Sequence, residues 1–468
     1  MSQDNELTRR QIAKLMGTGV TVGLAGCIGG GDGTGDSGNG TNGDGSGTGD
    51  SGNDTNSSAQ TQGNSSAPNV DEISLLTWNI QFLEDSIKGW IDDFKNPDSP
   101  VEADYSNINV TWVDRGQGDV ATYYQTQLQS GNPINVVDTQ GSVYTRFASE
   151  GAFAPLGEMV SNEFLGKIGD KALEFSRLDG TLYRIPFYQN CSSTYRRNKW
   201  FDEAGLEPPK TTKEFFDTSR ALVEDSGAEH GMTFVTFNYR LWPFFWAEGI
   251  NVLNEDQTEA AFNTSRAVEI VERFQKQTSE GIIPSVTWTG RVEEQSNQFG
   301  TGNTGMFITP LASIRRVQSA GDWVSPDTFS LSVPPGNSGT YQAHGLSITA
   351  ADSSDAEQQA SWDLIRTIMS EKWQEDFLRN TTVIAGNTAV QNQLADNEEF
   401  RNNNPLKVMA YDLWPKLTEG YVTPPSIPES SEISSTLDSQ ISSAALGEKE
   451  PQTALDDAEQ QINSLLSG

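Results

Sequence analysis

Two observations place this chain in the α/β class with two lobes. From residue 70 to 468 the composition is globular, and roughly 400 residues exceed what one hydrophobic core supports, so two domains or lobes are expected. The start of that stretch also alternates strand and helix signals as β-α-β-α-β, which predicts a parallel sheet with helices on both faces.

Ile73 to Trp78 reads as a short apolar strand. Ile87, Trp90, Ile91 and Phe94 then recur at the spacings of one helical face. Ile108, Val110 and Trp112 alternate as a strand; Val120, Tyr124 and Leu128 share a helix closed by Gly131; and Ile134 to Val137 forms a buried strand. Ligands approach such sheets at the carboxyl ends of the strands, here Asn79 to Phe82, Asp114 to Gly118 and Asp138 to Gly141. In a second α/β section, Thr211-x-x-Glu214 is a capping box that opens a helix through Phe215, Ser219 and Leu222. Ala267, Ile270, Val271 and Phe274 form another amphipathic helix, ended by Gly281 and Pro284. Strand-like Thr304 to Thr309 and Leu346 to Thr349, helices around Trp362 to Met369 and Trp373 to Leu378, and a terminal helix from Thr453 to Leu466 complete the pattern.

The N-terminus is of another kind. Arg9-Arg10, a weak apolar stretch from Ile12 to Gly26, and Leu24-Ala25-Gly26-Cys27 resemble a twin-arginine export signal joined to a lipoprotein processing box, so residues 1–27 are expected to be a signal peptide and Cys27 the lipid anchor. Residues 28–69 are almost entirely Gly, Ser, Thr, Asn and Asp and have too little to bury to offset their ordering entropy. They read as a tether with a reach of roughly 35 Å, and sequons at Asn39, Asn53, Asn56 and Asn64 hint at surface glycosylation. The expected location is the outer face of the cytoplasmic membrane.

Sixty-four acidic residues against 31 basic ones give a formal charge of −33. Self-repulsion on that scale is tolerated where concentrated salt shortens the screening length, so the charge reads as adaptation to high salt. The absence of a basic surface argues against nucleic acid as a partner. Cys191 is the one cysteine besides Cys27, and the two histidines, His230 and His344, cannot build a Cys/His zinc site, so neither an intrachain disulfide nor a metal cofactor is expected in the mature chain. There is no Gly-x-Ser-x-Gly elbow, P-loop or His-Glu-x-x-His, and no cofactor is expected.

Aromatic residues carry the strongest hint of a site. Trp242, Phe244, Phe245 and Trp246 fall within five residues, and Trp78, Tyr188, Trp288 and Trp323 lie near strand ends or loops. Ring faces stack on the C–H faces of sugars while amides and carboxylates bind hydroxyls, so this mixture suits a carbohydrate cleft; the same rings suit a hydrophobic core.

Several segments resemble the extracellular solute-binding proteins of ABC importers, in particular the family that includes maltose-binding and other sugar-binding proteins. They are Asn135-Val-Val-Asp-Thr-Gln-Gly141 with Gly151-Ala-Phe-Ala-Pro-Leu156; Asp179-Gly-Thr-Leu-Tyr-Arg-Ile-Pro-Phe-Tyr-Gln-Asn190 followed by Tyr195 to Lys199; and Phe201-Asp-Glu-Ala-Gly-Leu-Glu-Pro-Pro-Lys-Thr211. Ala261 to Thr264, Gly302 to Ile308, Pro335-Gly336, Ser361 to Phe377 and Ala454 to Asp457 also fit, so the likeness spans nearly all of residues 70–468. The resemblance implies a periplasmic-binding-protein-like fold: two lobes, each a mainly parallel sheet flanked by helices, with a ligand cleft at the hinge. It further implies a monomer that captures a small solute, foremost a carbohydrate, and hands it unchanged to membrane permease subunits. The ligand-facing residues it implies are Trp78, Gln81, Gln140, Tyr188, Asn190, Trp242, Trp246, Thr309, His344 and Gly345. Gln189-Asn190-Cys191 departs from the family pattern and leaves the ligand class open. A polyamine or iron ligand on the same fold, a secreted glycoside hydrolase with two carboxylates across a cleft, and a surface-layer component are the alternatives.

Overall fold

The computed structural model describes residues 70–78, 80, 83–96, 101, 103–115 and 120–467. The expected signal, Cys27, the tether and Gln81 lie outside the described residues.

The strands, in chain order, are β1 (Glu72–Trp78), β2 (Asn109–Arg115), β3 (Val136–Gln140), β4 (Arg177–Leu178), β5 (Thr181–Leu182), β6 (Arg184–Arg197), β7 (His230–Phe234), β8 (Thr304–Pro310), β9 (Phe329–Ser332), β10 (Tyr341–Ile348) and β11 (Ile384–Ala385). β4 and β5 form a small ribbon of their own. The main sheet runs β2-β1-β3-β10-β6-β8-β7, with β9 and β11 also paired to β6. β1 is parallel to both β2 and β3, as the opening β-α-β-α-β pattern predicts, and β7 is parallel to β8; β6 and β10 run antiparallel to their neighbours.

β6 is what makes one sheet serve two lobes. Its first half, Arg184 to Cys191, pairs with β10 in the first lobe, and its second half, from Ser192, pairs with β8 and β9 in the second. The first twelve of its fourteen residues are buried. The side-chain alternation of a strand sends Tyr188 and Asn190 to one face, while Gln189 points the other way, bonding Ala385 O and the Tyr341 hydroxyl. The chain returns to the first lobe between β9 and β10, and a bridge between Thr340 and Val422 lies alongside that return.

The helices follow their apolar spacing. Helix Glu84–Lys95 buries Ile87, Trp90 and Phe94 under the first sheet, with Trp90 meeting Phe187 edge-on at 5.5 Å. Helix Val120–Gln129 buries Val120 and Tyr124, and Gly131 follows it at φ 72°. In the second lobe the capping box forms in full, with Thr211 and Glu214 each bonding the other's backbone, and helix Thr212–Glu224 packs Phe215, Phe216 and Leu222 inward. Helices Ser265–Ser279, Ser430–Ala445 and Pro451–Leu466 close the same core. Among the described residues no helix is long and apolar enough to cross a membrane.

Candidate functional site

A cavity of about 940 Å³ opens where the two halves of β6 meet. From the first lobe it is lined by Trp78 at the end of β1, Gln140 at the end of β3, Tyr188 and Asn190 on β6, His344 on β10, and Phe377. The carboxyl ends of the parallel strands thus supply the floor, as doubly wound sheets do. From the second lobe come Phe237, Asn238, Arg240, Arg291, Glu293, Asn297, Ser313, Arg315 and Arg316. A smaller compartment of about 200 Å³ shares Trp78, Gln140, Asn238 and Gln342 with the first and extends toward Tyr144, Arg184 and Tyr341.

The floor is an aromatic platform built by a β-bulge. The register between β10 and β6 shifts between His344 and Gly345, so that His344 faces Tyr188 while Gly345 faces Pro186. An extra residue on one strand re-aims side chains, and here the imidazole lies flat on the Tyr188 ring, 4.3 Å between centroids at 13°. Trp78 meets His344 edge-on at 6.3 Å. Beneath them the fully buried Asp138 accepts the Trp78 backbone N–H at 3.4 Å and sits 3.2 Å from His344 Nδ1, fixing the ring's rotation. Burial pushes the Tyr188 hydroxyl well above its usual pKa, so it stays neutral. Asn190 accepts from the backbone of Cys191 and Ala312 through Oδ1, bonds that leave its amide hydrogens unspent.

The structure therefore brings Trp78, Gln140, Tyr188, Asn190 and His344 to one cavity and leaves four other expected residues off its wall. Trp242 is fully buried in the second-lobe core, stacked on Phe245 at 4.4 Å and edge-on to Phe262. Trp246 packs against the same core. The short helix Pro243–Trp246 carries this aromatic run inward against Phe215, Phe216, Phe234 and Phe274, so the density of rings there reflects packing. Thr309 is fully buried one residue short of the wall, its hydroxyl 2.8 Å from that of Ser313, which does line the cavity. Gly345 leaves room for Arg184: a Cβ there would lie 2.7 Å from Arg184 Cδ.

Sequence reasoning missed Arg240, Arg291, Arg315, Arg316, Asn238, Asn297 and Gln342. The available signal was scarcity, since in a chain with half as many basic as acidic residues the pair Arg315-Arg316, just past a strand end, stands out. Among the described residues no group of three or more His, Cys, Asp and Glu could hold a metal ion.

Two lobes threaded by one strand, with a polar and aromatic cavity at their junction, define a protein that takes up a small molecule between them. The chain belongs to the bacterial extracellular solute-binding protein family, whose model matches residues 83–375. A putative binding protein of Brucella abortus is 25% identical over 331 residues, covering 68% of this chain and 76% of its own. The GacH receptor of Streptomyces glaucescens, solved unliganded and with acarbose, shares the fold at a TM-score of 0.70 and 17% identity, over 85% of this chain and 99% of its own. An ABC substrate-binding protein of Listeria monocytogenes, solved with cycloalternan, does so at 0.70 and 18%, over 85% and 100%.

Proposed function

We propose that this protein is the capture component of an ABC importer for a carbohydrate, holding it between the lobes and passing it unchanged to membrane permease subunits. The observation that carries the reading is the cavity wall: the Trp78, Tyr188 and His344 rings with Gln342 beside them on β10, and the amides of Asn238 and Asn297 from the second lobe. Rings cover the C–H faces of a sugar and amides pair with its hydroxyls. A volume of about 940 Å³ with a connected annex favours an oligosaccharide over a single small metabolite. The two similar proteins solved with acarbose and cycloalternan support the same ligand class.

Capture works by population shift. A ligand that touches both lobes stabilises the closed arrangement by its extra contacts there, and the closed surface is what the permease reads. The lipoprotein-like segment ending at Cys27 and the polar composition of 28–69 support a receptor anchored outside the membrane by lipid at Cys27. The test is a thermal-shift and calorimetric screen of the mature chain in several-molar salt against neutral and acidic oligosaccharides, polyols, polyamines and ferric iron, with product analysis. A saturable rise in melting temperature with a saccharide and no turnover is expected. A rise only with polyamine or iron removes carbohydrate from the reading, and hydrolysis removes the receptor role.

A further inference from the structure

The charge of the cavity runs against the charge of the chain. The sequence carries 64 acidic and 31 basic residues, yet among the described residues the lining of the main cavity includes four arginines, Arg240, Arg291, Arg315 and Arg316, against one glutamate, Glu293, and neither aspartate nor lysine. We propose that the captured solute is an acidic carbohydrate, whose carboxylate or phosphate is held by Arg240 and Arg316 while its sugar rings lie on the aromatic platform. The proposal rests on the reading of this cavity as the solute site.

Arg240 and Arg316 line the same cavity as that platform. Both act electrostatically on the Tyr188 hydroxyl, and they repel one another. Burial, with Arg316 second, holds the Arg240 pKa down at about 10, so the guanidinium keeps its charge in an unfavourable place. Its Nη2 donates to the neutral Gln342 Oε1 at 2.7 Å, and the group sits 4.9 Å from the Phe237 ring. No carboxylate among the described residues forms an ion pair with it. The carboxyl of Asp438, which attracts it from farther off, is itself pushed well above the usual carboxylate range by burial. Among the described residues Arg316 meets a carboxylate loosely, its Nε 3.9 Å from Glu293 Oε1.

Two partly buried guanidiniums on one cavity wall that repel one another cost free energy. An oxyanion between them would cancel their repulsion and accept their N–H groups in the bidentate geometry that arginine favours. The arrangement also suits concentrated salt, because a partly desolvated pair of forks retains attraction that a surface charge loses to screening.

The test is calorimetry on the full-length mature protein with matched pairs: trigalacturonate against maltotriose, and glucose 6-phosphate against glucose. The acidic member of at least one pair is expected to bind about tenfold or more tightly. Its affinity should fall with added chloride, whereas that of the neutral member should not. In Arg316→Gln the ratio of acidic to neutral affinity should collapse toward one, and Arg316→Lys should restore part of it; Arg240→Gln, checked for folding by near-ultraviolet circular dichroism, should behave as Arg316→Gln does. Neutral sugars binding as well as the acidic ones would overturn the anion site and leave the carbohydrate reading standing. Binding of inorganic phosphate or citrate without any sugar would uphold the arginine pair and remove the carbohydrate, and silence with every probe would remove both.

Discussion

His344 shows how one residue serves chemistry and packing together. Its ring is held between the buried Asp138 side chain and the Tyr188 face, with Trp78 at its edge, so this part of the cavity wall is fixed by its own contacts. Trp78→Ala is therefore expected to weaken ligand binding by about 1–3 kcal/mol, as loss of an aromatic anchor does, with little change in melting temperature. Trp242→Ala is expected to do the reverse, costing about 3–5 kcal/mol of stability because it empties a fully packed core site. Paired calorimetry and denaturant titration of the two variants measure both, and equal effects on affinity would overturn the separation. Cys191 belongs with Trp242: it is buried at 1% exposure and burial raises its thiol pKa far above the usual range, so it should resist a thiol reagent at neutral pH until the chain is unfolded.

At the scale of elements, β10 depends on a glycine. Gly345 sits where Arg184 crosses the sheet to reach Thr139 O and Phe175 O, with Tyr144 under its guanidinium at 4.0 Å. A side chain at 345 would drive into Arg184, so Gly345→Val should lower the denaturation midpoint well beyond the about 1 kcal/mol expected of an ordinary strand substitution. Helix Pro405–Gly420 makes a prediction in pH. Burial, with Arg315 and Arg379 nearby, lowers the Lys407 pKa to about 8 from an ordinary 10.5, so between those values the unfolded chain binds the proton and the folded one does not. Stability contributed by this group therefore rises as pH climbs from about 8 toward 10. Urea titrations at pH 7.5 and 9.5 should show a smaller pH increment in Lys407→Met than in the natural protein, and parallel slopes would refute the assignment.

At the scale of the whole molecule, one sheet crosses both lobes, so closure must be absorbed at the few chain segments between them: the middle of β6, the return from β9 to β10, and the Thr340–Val422 bridge. Small-angle scattering should show the radius of gyration shrinking on saturation with ligand; an unchanged value with bound ligand would argue against closure. A formal charge of −33 also predicts that the denaturation midpoint rises between 0.1 and 3 M potassium chloride, because screening relieves self-repulsion.

The sequence by itself determined the elements and their class. Apolar spacing placed helices such as Glu84–Lys95 and Ser265–Ser279, the Thr211–Glu214 box announced a helix start, and the strand-helix alternation announced the parallel β2-β1-β3 group, because these are local consequences of periodicity and capping. It also indicated that Trp78 and Gln140 lie at strand ends, where open sheets present ligands. Tertiary structure alone decided which aromatic residues face the cavity, since a tryptophan in the core and one in a cleft obey the same local rules. Trp242 and Trp78 differ only in what packs around them. It also decided the convergence of Arg240 and Arg316 on one cavity with Tyr188, residues more than 40 positions apart brought together by the pairing of β6 with β8 and of β8 with β7, which no local pattern encodes.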